Sequence, residues 1–317
     1  MGGTGFVADG DRLAVLPDAV RQYAYRVTAA ARDHYGPALT GVYLHGSAGF
    51  GHFVAGSSDL DLLLTVDDGT AIGSTDDGST DDGSTDDGST AHGSTAGHGS
   101  AAQGSAVVGS TAHDSTVNGG VVDDRDLVDA VAHLEQPDDV LGLEASVLGT
   151  GDLRASGARR PFRAHFTVDR RGQRYVSGVG HTGDPDLVLH YAVCHVAGVS
   201  LTGPPAADVF PAPDRATVLR ALAAELEWAE ENGDWTYAVL NAARAWRYAE
   251  ESVLSSKLDG ALWMRPRTTG QEYLDRALTG HLTPRREHRV PAPDLPGYGG
   301  WARAVLRHVL GLLATSS

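Results

Sequence analysis

Apolar residues recur at helical spacing over 13–35, with Leu16, Val20, Tyr23, Val27 and Ala30 on one face, and the pattern stops at Gly36. This predicts a helix. Two short strands follow, over 40–45 (TGVYLH) and 58–66 (SDLDLLLTV), joined by a glycine-rich turn. The stretch 126–135 has helical spacing again, and 140–148 (VLGLEASVL), 162–169 and 173–179 return to strand character. Beyond Asp184 the period is helical almost throughout, over 185–198, 216–231, 235–254, 257–264 and 300–313. Strands mixed with helices in the first half and helices alone in the second predict an α+β chain. The expected division is a mixed β-sheet domain with helices over 1–180 and an all-helical C-terminal domain over 181–317.

The hydrophobic pattern is interrupted over 69–120, where the chain is almost wholly Gly, Ser, Thr, Asp and Ala and the unit GSTDD recurs at 73–77, 78–82 and 83–87. Such a segment has little to bury and so cannot offset the entropy of ordering it. It is expected to be a disordered insertion in a surface loop, without chemistry of its own.

Composition narrows the function classes. A formal charge of −16 disfavours nucleic acid, whose binding needs clustered cations, and favours a cationic small molecule. No window approaches the roughly 20 apolar residues of a membrane span, and the first residues lack a basic segment followed by an apolar one. No membrane association and a cytoplasmic location are expected. The single cysteine, Cys194, lies in an apolar helical stretch and reads as a buried thiol. Of the 25 Lys and Arg residues, all but Lys257 are arginine, so a role that only lysine fills competes with chance there.

The candidate chemistry begins at Gly46-Ser47, at the end of a strand, and continues at Asp59-Leu60-Asp61, where the next strand opens. Residues i and i+2 of a strand share a face, so the two carboxylates converge. Like charges held that close are tolerated when a divalent cation lies between them and a phosphate, and Mg²⁺ takes oxygen ligands of this kind. Gly46 permits close approach of a phosphate, and the amide and hydroxyl of Ser47 can donate to it. The competing reading, a solvent-facing Asp61, is weakened by the apolar Leu60, Leu62, Leu63 and Leu64 around it. Glu144 is an isolated acid in an apolar strand, and it either faces solvent or joins Asp59 and Asp61.

The run LHGSAGFGHFVAGSSDLDLLLTV (44–66) resembles the signature of the nucleotidyltransferase superfamily. With LGLEASVL (141–148), VSLTGPPAADVF (199–210) and VLNAARAWRYAEESVLSSKLDGALW (239–263), the chain is similar to the aminoglycoside (3'')(9) adenylyltransferases, which act on streptomycin and spectinomycin. The resemblance implies a nucleotidyltransferase that moves AMP from ATP to a hydroxyl of a small cationic acceptor. It implies that Asp59, Asp61 and Glu144 hold two Mg²⁺, with Glu144 as the base. It also implies that Gly46, Ser47, Arg244 and Lys257 bind the ATP phosphates, and that Glu230, Asp234 and Tyr237 bind the acceptor.

Simpler roles compete with some of these. Arg244 could form a salt bridge with Glu225, Glu227 or Glu251, and Asp234 could cap the helix that follows it. One position departs from the family, because PFRAHFTV (161–168) has no Trp where the family packs one against streptomycin. A nucleotidyltransferase with another small-molecule or protein acceptor, and a non-catalytic nucleotide-binding protein, are the alternatives. The acceptor hydroxyl and the oligomeric state are open.

Overall fold

The computed structural model describes residues 9–67, 123–284 and 293–316. The insertion predicted over 69–120 lies outside them. The described residues belong to one compact unit.

The chain opens with a short helix α1 (Asp9–Ala14) and a longer α2 (Asp18–Tyr35). The continuous helix expected over 13–35 is broken because Pro17, which lacks an N–H and disfavours helical geometry before it, stands immediately ahead of α2. β1 (Leu39–Leu44), the single turn α3 (Gly46–Gly49), β2 (Leu60–Val66), α4 (Asp124–Ala132) and β3 (Gly142–Gly149) come next. β4 (Ala164–Asp169) and β5 (Gly172–Ser177) complete the first half.

The helical part holds α5 (Asp186–Ala197), a strand β6 (Val199–Thr202), the short α6 (Ala206–Val209), α7 (Arg215–Glu231) and α8 (Trp235–Glu251). It ends with α9 (Lys257–Met264), α10 (Gln271–Leu282) and α11 (Tyr298–Ser316). Asp184 accepts from the amide of Asp186 at 2.8 Å, so the acids at this corner serve the start of α5, as their position suggests. α8 stops at Ser252, which takes a left-handed conformation with φ 56°, and not at 254. β6 and α10 were not anticipated. β6 is four residues of VSLT that gain strand character only by pairing with β1.

Among the described residues, six strands form one mixed sheet in the order β5-β4-β3-β2-β1-β6, with β2 and β3 parallel and the other pairs antiparallel. The parallel pair needs a crossover, and α4 lies in it. Along β2 the side chains alternate. Leu60, Leu62, Leu64 and Val66 join the core that α2 and α4 cover, whereas Leu63 joins a second core with Tyr191, Cys194 and Phe210. Asp61 therefore sits on the face that α5 covers. A third core belongs to the helices, and Leu189 and Ala192 of α5 reach into it. α5 thus ties the sheet to the helical bundle.

Cys194 is fully buried, and burial pushes its thiol well up, so the structural role expected for it holds. Among the described residues no helix is long and apolar enough to cross a membrane.

Candidate active site

The turn after β1 is built around one glycine. Gly46 has φ +58°, in the left-handed region, and a Cβ added there would collide with the carboxylate of Asp61. The amide of His45 donates to the carbonyl of Asp61 at 3.0 Å, which fixes the turn against β2. His52 returns to the same turn, its amide donating to the Ser47 carbonyl at 2.8 Å. Gly46 therefore stands directly against the Asp61 carboxylate.

Asp61 and Glu144 are register partners on the parallel strands β2 and β3, so their side chains rise side by side from one face. Asp59 lies two residues earlier, just before the strand begins. The Asp61 carboxyl is held well above the usual carboxylate range, first by burial and then by the negative charges of Glu144 and Asp59. Lys257 and Arg244 pull it the other way. This one carboxyl thus feels the other four charged residues named from the sequence as metal or phosphate ligands.

Lys257 is the first residue of α9, and Ser256 caps that helix, accepting from the amide of Asp259 at 3.0 Å. Its ammonium lies 4.6 Å from the centre of the Tyr237 ring, a cation–π contact. Arg244 donates from Nε to the Ser255 carbonyl at 3.0 Å and from Nη1 to Asn241 Oδ1 at 2.8 Å. Of the salt-bridge partners considered for it, Glu251 pairs with Arg247 and Arg267, and Glu225 accepts from the Tyr237 hydroxyl. Gly260 lets α9 approach α8 closely, because a Cβ there would stand 2.9 Å from the Arg244 amide nitrogen. The two cations are therefore carried on a tightly crossed helix pair.

The residues assigned to an acceptor divide. Asp234 is the N-cap of α8, accepting from the Tyr237 amide at 3.1 Å, and its charge is felt at Tyr298. Glu230 ends its part in the chain by accepting, at its carbonyl, from Gly233 in the α7–α8 turn. Tyr237 donates its hydroxyl to Glu225 Oε1 at 2.7 Å. Burial pushes the Tyr237 phenol well up, and the nearby charges of Glu225 and Asp186 add to this. Glu225 and Asp186 were not assigned a place at Tyr237 from sequence. Each lies on a different helix, and helical periodicity carries no information about which helices cross. His52 was also missed, although an imidazole within a loop of small residues is a signal in itself.

Among the described residues, no group of three or more His, Cys, Asp and Glu side chains is drawn together closely enough to hold a metal ion as it stands. The donor chemistry nonetheless fits Mg²⁺. The carboxylates of Asp59, Asp61 and Glu144 are oxygen donors, and their mutual repulsion at Asp61 is what a divalent cation relieves.

A mixed sheet with a glycine turn set against an acid, with helices whose cations act on that acid, is an arrangement that suits a nucleotidyltransferase. Residues 208–291 match the family described as aminoglycoside adenylyltransferase, C-terminal domain. Over those residues the chain is similar to that family. Its fold is similar to that of the spectinomycin adenyltransferase AAD(9) from Enterococcus faecialis, solved with ATP and spectinomycin, with a TM-score of 0.55. The match covers 92% of this chain and 98% of that one at 12% sequence identity, so the likeness is one of fold. No curated protein sequence matches the chain.

Proposed function

We propose that this enzyme transfers AMP from ATP to a hydroxyl group of an aminoglycoside-type antibiotic, spectinomycin or streptomycin, and releases pyrophosphate. The observation that carries the reading is the field at Asp61, where Asp59 and Glu144 repel and Arg244 and Lys257 attract. Such a place suits a bound group that is itself anionic and arrives with cations.

Lys257 and Arg244 attract and orient the triphosphate, and Gly46 leaves room for the Asp61 carboxylate beneath the turn. Glu144 accepts the proton of the acceptor hydroxyl as its oxygen bonds to the α-phosphorus. The bond from that phosphorus to the bridging oxygen breaks, and pyrophosphate leaves in line with the attack. Asp59, Asp61 and Glu144 would hold Mg²⁺, two ions by family resemblance, and the metal when bound supplies neutralisation of the triphosphate and of the leaving pyrophosphate. Glu230, Asp234 and Tyr237 would face the amino or guanidino groups of the acceptor.

A second reading keeps the reaction and changes the acceptor. It is favoured by the use of Asp234 as a helix cap and by the absence of Trp over 161–168. Pyrophosphate release from ATP and Mg²⁺ separates the two, measured with spectinomycin, with streptomycin and with neither, for the wild type and Glu144→Ala. Release that needs a drug and disappears in the variant supports transfer to that drug with Glu144 as base. No drug-dependent release sends the acceptor to the second reading.

A further inference from the structure

The side chain of His52 joins the loop between Ser47 and Asp59 to the start of α9. Its Nδ1 lies 2.7 Å from Ser256 Oγ and 3.3 Å from Asp259 Oδ2. Ser256 Oγ is 3.0 Å from the same Asp259 oxygen. The set has the membership of a Ser-His-Asp triad but not its geometry. One ring nitrogen meets both partners, whereas a relay needs the two nitrogens to face different partners.

The protons define what it is instead. Ser256 Oγ already accepts from the Asp259 amide, and its single hydrogen goes to the Asp259 carboxylate. Nδ1 of His52 must then carry hydrogen and donate to Ser256 Oγ, with the Asp259 carboxylate close by. This is a clasp of charge-assisted hydrogen bonds. A second tie nearby has Ser57 Oγ donating to the carbonyl of His281, so the loop touches the helical part at its middle and near its far end.

The clasp falls between two groups that must grip one ligand. The His52 amide is bonded to the Ser47 carbonyl, and Ser256 directly precedes Lys257. We infer that His52 is a positioning residue for ATP: it sets the distance between the Gly46-Ser47 turn and the Lys257 ammonium, so that both meet the triphosphate without reordering. This rests on the proposed ATP reading. Without the clasp, the loop and α9 would have to be fixed by the nucleotide itself, which lowers affinity.

The test uses a non-hydrolysable ATP analogue with Mg²⁺ and calorimetric titration of the intact enzyme, with melting temperature measured beside it. His52→Ala is expected to raise the Kd of the analogue about five- to tenfold at an unchanged melting temperature. His52→Asn, whose side-chain amide nitrogen can stand where Nδ1 does, is expected to restore it to within about twofold. Equal affinity in His52→Ala and wild type, or an Asn variant as weak as Ala, overturns the inference. If His52→Ala does not fold, Asp259→Asn carries the test with a smaller rise expected, and no rise overturns the inference. A wild type that does not bind the analogue at all counts against the ATP reading, which keeps the two failures apart.

Discussion

Gly46 shows how a single hydrogen atom in place of a methyl group can govern a site. The left-handed backbone costs an L residue about 1–2 kcal/mol, and the methyl would also displace the Asp61 carboxylate. Gly46→Ala is expected to lower turnover at least a hundredfold while destabilising the fold by only that amount. Adenylyl transfer rates and a urea midpoint read the two effects separately, and comparable small losses in both would contradict the special placement.

His34, at the far end of α2, offers a test of pH dependence away from the site. Its imidazole is held below its ordinary 6.5, first by burial, against the raising influence of Asp124, and its Nε2 is buried without a hydrogen-bond partner. The unfolded chain therefore takes up this proton more readily than the folded one. The contribution to stability is complete above about pH 6.5 and is lost as the pH falls below it. His34→Asn should shrink the loss of denaturation midpoint between pH 7.5 and 5.5, and an identical loss in both proteins would exclude His34 as its source.

At the scale of elements, the α8–α9 crossing carries the cationic half of the site. Gly260→Ala would press a methyl on the backbone nitrogen and Cα of Arg244 as well as its Cγ, and the backbone cannot swing aside. Overpacking of this kind costs about 1–3 kcal/mol. Separating the helices also moves Arg244 and Lys257 apart, so weaker binding of ATP is expected with the lost stability. A variant that binds ATP normally would show that the crossing is not what spaces the cations.

The same elements show what the sequence could and could not reveal. β1, β2 and β3 were legible because their apolar runs are short and dense, and α9 because Ser256 and Asp259 mark its first turn. β6 was not legible, since VSLT is stabilised by a partner about 160 residues earlier and has little pattern of its own. The acids and the glycine turn were legible as residue types at a spacing. The contacts of Tyr237 with Glu225, and of His52 with Ser256, belong to the crossing of separate segments and have no signature within either.

Across the whole molecule, the charge of −16 sets a long-range field that draws small cations and repels anions. Such steering weakens as salt shortens its reach from about 30 Å at 0.01 M to about 8 Å at 0.15 M. kcat/KM for a cationic acceptor is therefore expected to fall several-fold over that range. A salt-independent value would confine recognition to close contacts in the site.

The order in which the charges occur along the chain adds a consequence for synthesis on the ribosome. Asp59, Asp61 and Glu144 emerge first, and their repulsion stays unrelieved by protein groups until Arg244 and Lys257 follow about a hundred residues later. A truncated product that ends between them holds the acids without the cations. On the proposed reading such a product would consume no nucleotide, and activity would begin only once the helical part had been made and docked.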